Sequence, residues 1–174
     1  VAVRNVHAMH FLERICAAMN QAGVPVMLLK GAALQLRLYE QPDDRPMSDL
    51  DLLVHPDDLR QAMAVLQSLG GYRSAIVAND AFFPRYYFEA EYNIGQIVPV
   101  AIDLHVRPIY PLRYTQLIPD DALWAASVGI ELGQAKIHIP NDWAMLLHLC
   151  AHYAIHGGRG RIWATHGPDV RRSL

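Results

Sequence analysis

The feature that most constrains the fold is the segment 48–54, which reads SDLDLLV. Its first half alternates polar and apolar residues and its second half is continuously apolar, as is typical of a strand that enters a buried core from one edge. Asp49 and Asp51 are two residues apart, so both carboxylates lie on one face of such a strand, about 7 Å apart along the chain. Because burial and mutual repulsion penalise such a pair, solvent or a metal ion must compensate it.

The segments around this strand alternate between helical and extended patterns. Apolar residues spaced by three and four predict an amphipathic helix over 3–22, with a buried stripe of Val6, Met9, Leu12, Ile15, Ala18 and Met19. A short apolar run predicts a buried strand over 26–29. A Lys30-Gly31 corner and a helix over 32–39 follow. Further patterns predict helices over 56–69, 119–126 and 140–156, and strands over 72–77, 85–90, 95–107 and 130–139. This order, without an internal repeat, predicts an α+β fold with a mixed β-sheet flanked by helices.

Size and charge limit the classes of partner. The chain has 174 residues, 52% of them hydrophobic, which suits one ordinary domain with a core. Its net charge is -2, from 15 basic and 17 acidic side chains, so it lacks the basic field that holds a long nucleic acid. A nucleotide is still compatible, because a small anion needs only a few local donors.

The remaining compositional signals indicate a protein of the cytoplasm. Cys16 and Cys150 both lie in apolar helical patterns, so we expect two buried free thiols. No apolar run approaches the roughly 20 residues that cross a bilayer, and the first residues lack the pattern of a signal peptide. We therefore expect no membrane partner, while the oligomeric state stays open.

A third acid lies in an otherwise apolar strand pattern. Asp103 lies within residues 100–106, and His105 shares its face. Three carboxylates from two neighbouring strands could hold two Mg²⁺ ions about 3.5–4 Å apart, one activating a hydroxyl and one neutralising nucleotide phosphates. Alternatively, the acids only face water on an edge strand. The apolar stretch after Asp51, the proline-containing loop before Asp49 and the isolated third acid favour the metal site.

These motifs resemble a known family. The strings LLKGAAL (28–34), RPMSDLDLLV (45–54) and IDLH (102–105) resemble the bacterial uncharacterised nucleotidyltransferase family of the polymerase-β-like superfamily. The resemblance implies that fold, with Gly31 as the glycine of a corner beside the nucleotide phosphates. It also implies that Asp49, Asp51 and Asp103 are catalytic and metal-binding. In the wider superfamily the corner is Gly-Ser, whereas here Gly31 is followed by Ala32, so the serine hydroxyl is missing.

The resemblance implies an activity of the EC 2.7.7 type. The chain would move a nucleoside monophosphate from an NTP co-substrate to a hydroxyl of a small-molecule or protein acceptor, using two Mg²⁺ ions. Two alternatives stay open: a non-catalytic or antitoxin-like nucleotide-binding module, and a γ-phosphotransferase. We interpret residues 1–140 as the catalytic domain and 141–174 as a C-terminal helical segment, for which truncation is one interpretation because related chains continue with further helices.

Three more side chains are candidates for phosphate contacts. Lys30 could bind a phosphate or extend to solvent, and Arg45 could bind a phosphate or pair with Asp43 or Asp44. Ser48 could bind a phosphate or cap the loop. These two basic residues and Ser48 join Gly31 as predicted nucleotide-binding residues.

Histidines supply the last candidates. His105 could bind substrate, orient Asp103 or be a packed core residue. His148, His152 and His156 are spaced by four and share one helical face, where they could bind zinc, line a substrate pocket or pack structurally. Packing is favoured because the pattern of a zinc protease is absent.

Overall fold

The computed structural model describes residues 2–41, 44–73, 89–109 and 119–155. The helices are α1 (Ala2–Gln21), α2 (Lys30–Leu38), α3 (Leu59–Ser68), α4 (Asp120–Ala125) and α5 (Asp142–Ile155), with a 3-10 turn at Pro56–Asp58. The strands are β1 (Met27–Leu28), β2 (Asp49–Leu53), β3 (Tyr72–Arg73), β4 (Glu89–Ile94), β5 (Val100–His105), β6 (Ser127–Leu132) and β7 (Ala135–Pro140).

In the described ranges these strands form a seven-stranded sheet in the order β3-β4-β5-β2-β1-β7-β6. Strand β2 runs parallel to β5 and antiparallel to β1, and β1 runs parallel to β7. The pairs β3–β4, β4–β5 and β6–β7 are antiparallel. The predicted mixed sheet flanked by helices is therefore confirmed.

Two hydrophobic clusters cover the two faces of the sheet. On one face Leu50 and Leu52 of β2 pack in a cluster that includes side chains of α1, α2 and α3. On the other face Leu53 packs with Met27 of β1 and with Leu123 of α4. Burying each leucine contributes about 1.5–3 kcal/mol. A one-residue slip of β2 would expose Leu50 and Leu52 and drive Asp51 into the larger cluster, so burial fixes the register that aims the acids.

The buried face of α1 differs from the predicted stripe. Val6 was expected on that face but is 54% exposed, whereas Phe11 and Cys16 are buried beside the correctly predicted Leu12 and Ile15. The face is rotated because α1 packs against both β7 and α3, which a single periodic pattern does not reveal. The buried thiol of Cys16 is confirmed, and burial raises its pKa to about 12. The prediction for Cys150 is wrong, since this residue is exposed.

The prediction of a single strand over 130–139 is wrong. This segment belongs to a hairpin, in which a turn with Gly133 at φ 60 joins β6 to β7. Most of the strands predicted over 72–77 and 85–90, and His156, lie outside the described residues. No described helix is both long enough and apolar enough to cross a membrane.

Candidate active site

Strand pairing places three acids in one row across the sheet. Asp51 of β2 is in register with Asp103 of β5, which is in register with Glu91 of β4. Ligand atoms of Asp51, Asp103 and His105 all lie within 4.8 Å of one another. Asp49 is not part of this cluster and pairs with Ala101 instead. The structure thus brings the carboxylates of Asp51 and Asp103 into direct proximity, whereas Asp49 lies outside this cluster.

One carboxylate oxygen is the centre of the site. Lys30 Nζ and His105 Nε2 donate hydrogen bonds to the same atom, Asp51 Oδ1, over 2.7 Å and 2.8 Å. Asp51 is only 2% exposed. Burial raises its pKa, but the hydrogen bond from His105 and the charge of Lys30 outweigh burial and hold the pKa well below its usual value. Asp51 is therefore ionised at neutral pH.

His105 supports Asp51 rather than Asp103. Its side chain is 1% exposed, and burial lowers its pKa more than the neighbouring Asp51 raises it. A neutral imidazole with its proton on Nε2 donates to Asp51. The burial agrees with the core alternative, while the hydrogen bond makes His105 a residue that orients Asp51.

Asp103 has the opposite electrostatic character. Burial, together with the charges of Asp51 and Asp49, raises its pKa to about 7, and Lys30 offsets only part of this rise. Glu91 adds a further negative charge from the next strand. A divalent cation would relieve this repulsion, and carboxylate oxygens are the donors that Mg²⁺ prefers. The residues present therefore fit a Mg²⁺ ion.

The corner before α2 is built differently from the prediction. The left-handed residue is Lys30, with φ 42, and Gly31 lies inside the helix. Residues other than glycine have a higher conformational energy in the left-handed region of φ and ψ. Gly31 instead leaves room for Arg45, because a Cβ there would lie 2.9 Å from Arg45 Nη1, the flexible end of that side chain. The guanidinium of Arg45 thus packs against the first turn of α2.

A buried asparagine holds the loop that carries Arg45. Asn5 Nδ2 donates to the Arg45 carbonyl over 2.6 Å, and Met47 N donates to Asn5 Oδ1 over 3.2 Å. Ser48 Oγ donates to Asp49 Oδ1 over 2.9 Å. Asn5 of α1 therefore fixes the position of the loop that leads into β2. The Ser48 hydroxyl is hydrogen-bonded to Asp49, the first acid of the pair.

Sequence reasoning missed two residues of this site. Glu91 belongs to the alternating segment EAEYNI, whose apolar positions are buried, so that period-two pattern could have placed the acid on the site face. Asn5 carries no such signal, because its partners are 40 and 42 residues away in sequence.

The described histidines of α5 are not part of the acid cluster, although the charges of Lys30 and Asp51 act on His148. His148 Nε2 donates to the Pro108 carbonyl over 2.8 Å, and burial lowers its pKa to about 4. Its ring centroid is 6.5 Å from that of His152. These contacts support the packing alternative.

The sequence as a whole matches a family. The pattern of the uncharacterised nucleotidyltransferase family matches residues 1–164. The chain belongs to this family. Nucleotidyltransferases are transferases of the EC 2.7.7 type, and the acid row described above lies within the matched region. No protein with curated annotation matches this chain.

Solved nucleotidyltransferase structures share the fold. The crystal structure of ANT(2'')-Ia in complex with adenylyl-2''-tobramycin has a TM-score of 0.63 and 16% identity, covering 95% of this chain and 86% of that one. The solution structure of this antibiotic-resistance factor has a TM-score of 0.64 and 16% identity, covering 99% of this chain and 84% of that one. The crystal structure of an antigenic nucleotidyltransferase-like protein from Paracoccidioides brasiliensis has a TM-score of 0.61 and 16% identity, covering 95% of this chain and 74% of that one. The fold is the polymerase-β-like nucleotidyltransferase fold.

Replacing Lys30 tests whether the left-handed corner is strained. Lys30→Gly and Lys30→Ala lose the same ammonium group, but only alanine keeps the cost of φ 42. We expect Lys30→Gly to be more stable by about 1 kcal/mol in urea unfolding. At Arg37, an exposed position later in the same helix, the order should reverse, with glycine less stable than alanine by about 1 kcal/mol. Equal stabilities at residue 30 would contradict a strained corner.

Asp103→Asn tests the electrostatic cost of the third acid. The folded-state pKa is raised from 3.8 to about 7, so its stabilising contribution is present below about pH 4 and is lost as the pH rises through 7. After discounting for solvent screening, we expect Asp103→Asn to be more stable than the parent protein by about 1 kcal/mol at pH 8 in a chelating buffer. Its melting temperature should then lie about 2–4 °C higher. Near pH 4 the two melting temperatures should coincide. An equal difference at both pH values would show that the effect is not ionic.

Proposed function

We propose that this chain is a Mg²⁺-dependent nucleotidyltransferase that moves a nucleoside monophosphate from an NTP to a hydroxyl of a small-molecule or protein acceptor. The observation that carries the proposal is the register of β2 and β5, which brings the carboxylates of Asp51 and Asp103 together beside the start of α2. Asp49, two residues before Asp51 on the same strand, is proposed to complete the metal-binding set. The cytoplasm, where Mg²⁺ and NTPs are abundant, remains the proposed location.

A bound Mg²⁺ ion would polarise the reacting phosphoryl group and neutralise developing charge. The protein's own contribution is to hold the carboxylates in place. The hydrogen bond from His105 and the contact with Lys30 restrict the rotation of Asp51. The leucines on the other face of β2 fix the strand beneath it.

The phosphate side of the site is proposed to lie at the start of α2. The first N–H groups of a helix lack intrahelical acceptors, and no side chain caps this end of α2. The Arg45 guanidinium lies against Gly31, and the Lys30 ammonium lies beside Asp51. Positive charge therefore lies next to helix N–H groups that no side chain caps, which suits the phosphates of an NTP. Ser48 is proposed to act indirectly, through its hydrogen bond to Asp49.

The acceptor is proposed to approach from the side of β5 and β4. Asp103 is only partly buried, and no described side chain donates a hydrogen bond to it. Its oxygens are thus open to an incoming hydroxyl, and we assign it the role of proton acceptor. The adenylyl-2''-tobramycin bound by ANT(2'')-Ia joins a nucleotide to a small-molecule acceptor, which favours transfer of the α-phosphoryl group over the γ-phosphoryl group.

Labelled nucleotides test the reaction type. With Mg²⁺, the four NTPs and a panel of hydroxylated acceptors, we expect label to move from the α position only. Asp49→Asn and Asp51→Asn should lower this rate by about a thousandfold, because each removes charge at which transition-state charge is neutralised. Asp57→Asn, at an exposed aspartate of the 3-10 turn, serves as the control and should retain the rate. Label moving only from the γ position would contradict the proposal, and nucleotide binding without any transfer would support a non-catalytic module.

Gly31→Ala tests the role of Arg45 without removing a charge. The new Cβ would displace the flexible end of the Arg45 side chain, so stability should change by less than about 1 kcal/mol. We expect the KM for the NTP to rise about tenfold, since a charge-assisted hydrogen bond contributes about 1.5–3 kcal/mol. Arg45→Met should raise the KM similarly, and the double variant should be no worse than Arg45→Met alone. Additive effects would show that Gly31 acts independently of Arg45.

A further inference from the structure

The central carboxylate offers the site one oxygen rather than two. A carboxylate has two oxygens with about four lone-pair positions in total. Lys30 Nζ and His105 Nε2 both donate to Asp51 Oδ1, so its two positions are used within the protein. No described side chain donates to Oδ2. Asp51 can therefore offer Oδ2 to a metal ion, but a second ion at Oδ1 would have to displace two donors.

The ammonium group at Oδ1 is held by the fold. Lys30 is the first residue of α2, and its side chain is 14% exposed although lysine normally extends to solvent. Its backbone is left-handed, a conformation that persists only where surrounding contacts determine it. The corner thus directs a positive charge onto Asp51, where it repels any divalent cation that approaches Oδ1.

Two neighbouring carboxylates can provide further ligands. Asp103 lies in register with Asp51, and ligand atoms of the two residues lie within 4.8 Å of one another. Asp49 adds its charge from the same strand. Asp51 Oδ2 and the carboxylates of Asp103 and Asp49 are therefore the oxygens that can bind a cation.

We propose that the Lys30 ammonium takes the place of one of the two metal ions, so that the site holds a single Mg²⁺ ion, bound by Asp51 Oδ2, Asp103 and Asp49. This inference rests on the proposed function and revises the two ions predicted from the sequence. Lys30 then acts as a permanent cation beside the phosphates, and the chain needs only one exchangeable ion.

The number of bound ions tests this directly. Mn²⁺ prefers the same oxygen ligands and can be counted by equilibrium dialysis of the full chain, with and without inorganic tripolyphosphate. We expect one Mn²⁺ per chain in both conditions for the parent protein and for Lys30→Arg, which keeps the charge. Lys30→Met, which loses it, should bind two. Asp57→Asn, which removes an exposed carboxylate of the 3-10 turn outside the site, should still bind one.

Each result is decisive. Two ions in the parent protein, or one ion in a folded Lys30→Met variant, would overturn the single-ion proposal. If Lys30→Met does not fold, as judged by circular dichroism, the count in the parent protein decides alone. Two ions together with α-label transfer would leave the proposed function intact. One ion without transfer from any NTP would support the single-ion site and contradict the transferase function, and no bound ion would overturn both.

Discussion

The hydrogen-bonded contact of Lys30 and His105 with one oxygen of Asp51 is the interaction on which the site depends. It joins the start of α2, the middle of β2 and the end of β5, three elements that are separated in sequence. A buried carboxylate without such donors would shift toward its neutral form. With them, Asp51 stays ionised, and its charge in turn contributes to the raised pKa of Asp103. The two acids are thus electrostatically different although they are neighbours.

Hydrophobic burial decides where this contact forms. Leu50 and Leu52 are fully buried on one face of β2, so Asp51 must face the other way. The sequence carried this information directly, because the period of a strand is two and the apolar positions are unambiguous. The same period predicted that Asp49 and Asp51 share one face of β2. Helical periodicity and the order of the elements predicted the mixed sheet and most helices. The rotated face of α1 was not, because its packing against two elements involves more than one stripe of side chains.

Side-chain contacts between distant segments were beyond sequence reasoning. Lys30 and Asp51 are 21 residues apart, and His105 and Asp51 are 54 apart. A sequence pattern shows which face of its strand a residue occupies, but the strand order β5-β2-β1 determines which residues become neighbours. The role of Gly31 illustrates the difference. Sequence alone indicates a corner glycine, whereas the structure shows a close approach by Arg45 and assigns the left-handed backbone to Lys30.

The same arrangement gives the site a polarity. Positive charge from Lys30 and Arg45 lies at the α2 side, and negative charge from Asp103 and Glu91 extends along β5 and β4. Opposite charges at the two ends favour an anionic group on the α2 side and disfavour it above β4. In the proposed function, this polarity places the phosphates of an NTP toward α2 and leaves the β5 side for the acceptor. Because the positive charges of Lys30 and Arg45 belong to the protein itself, the polarity does not depend on a bound metal ion.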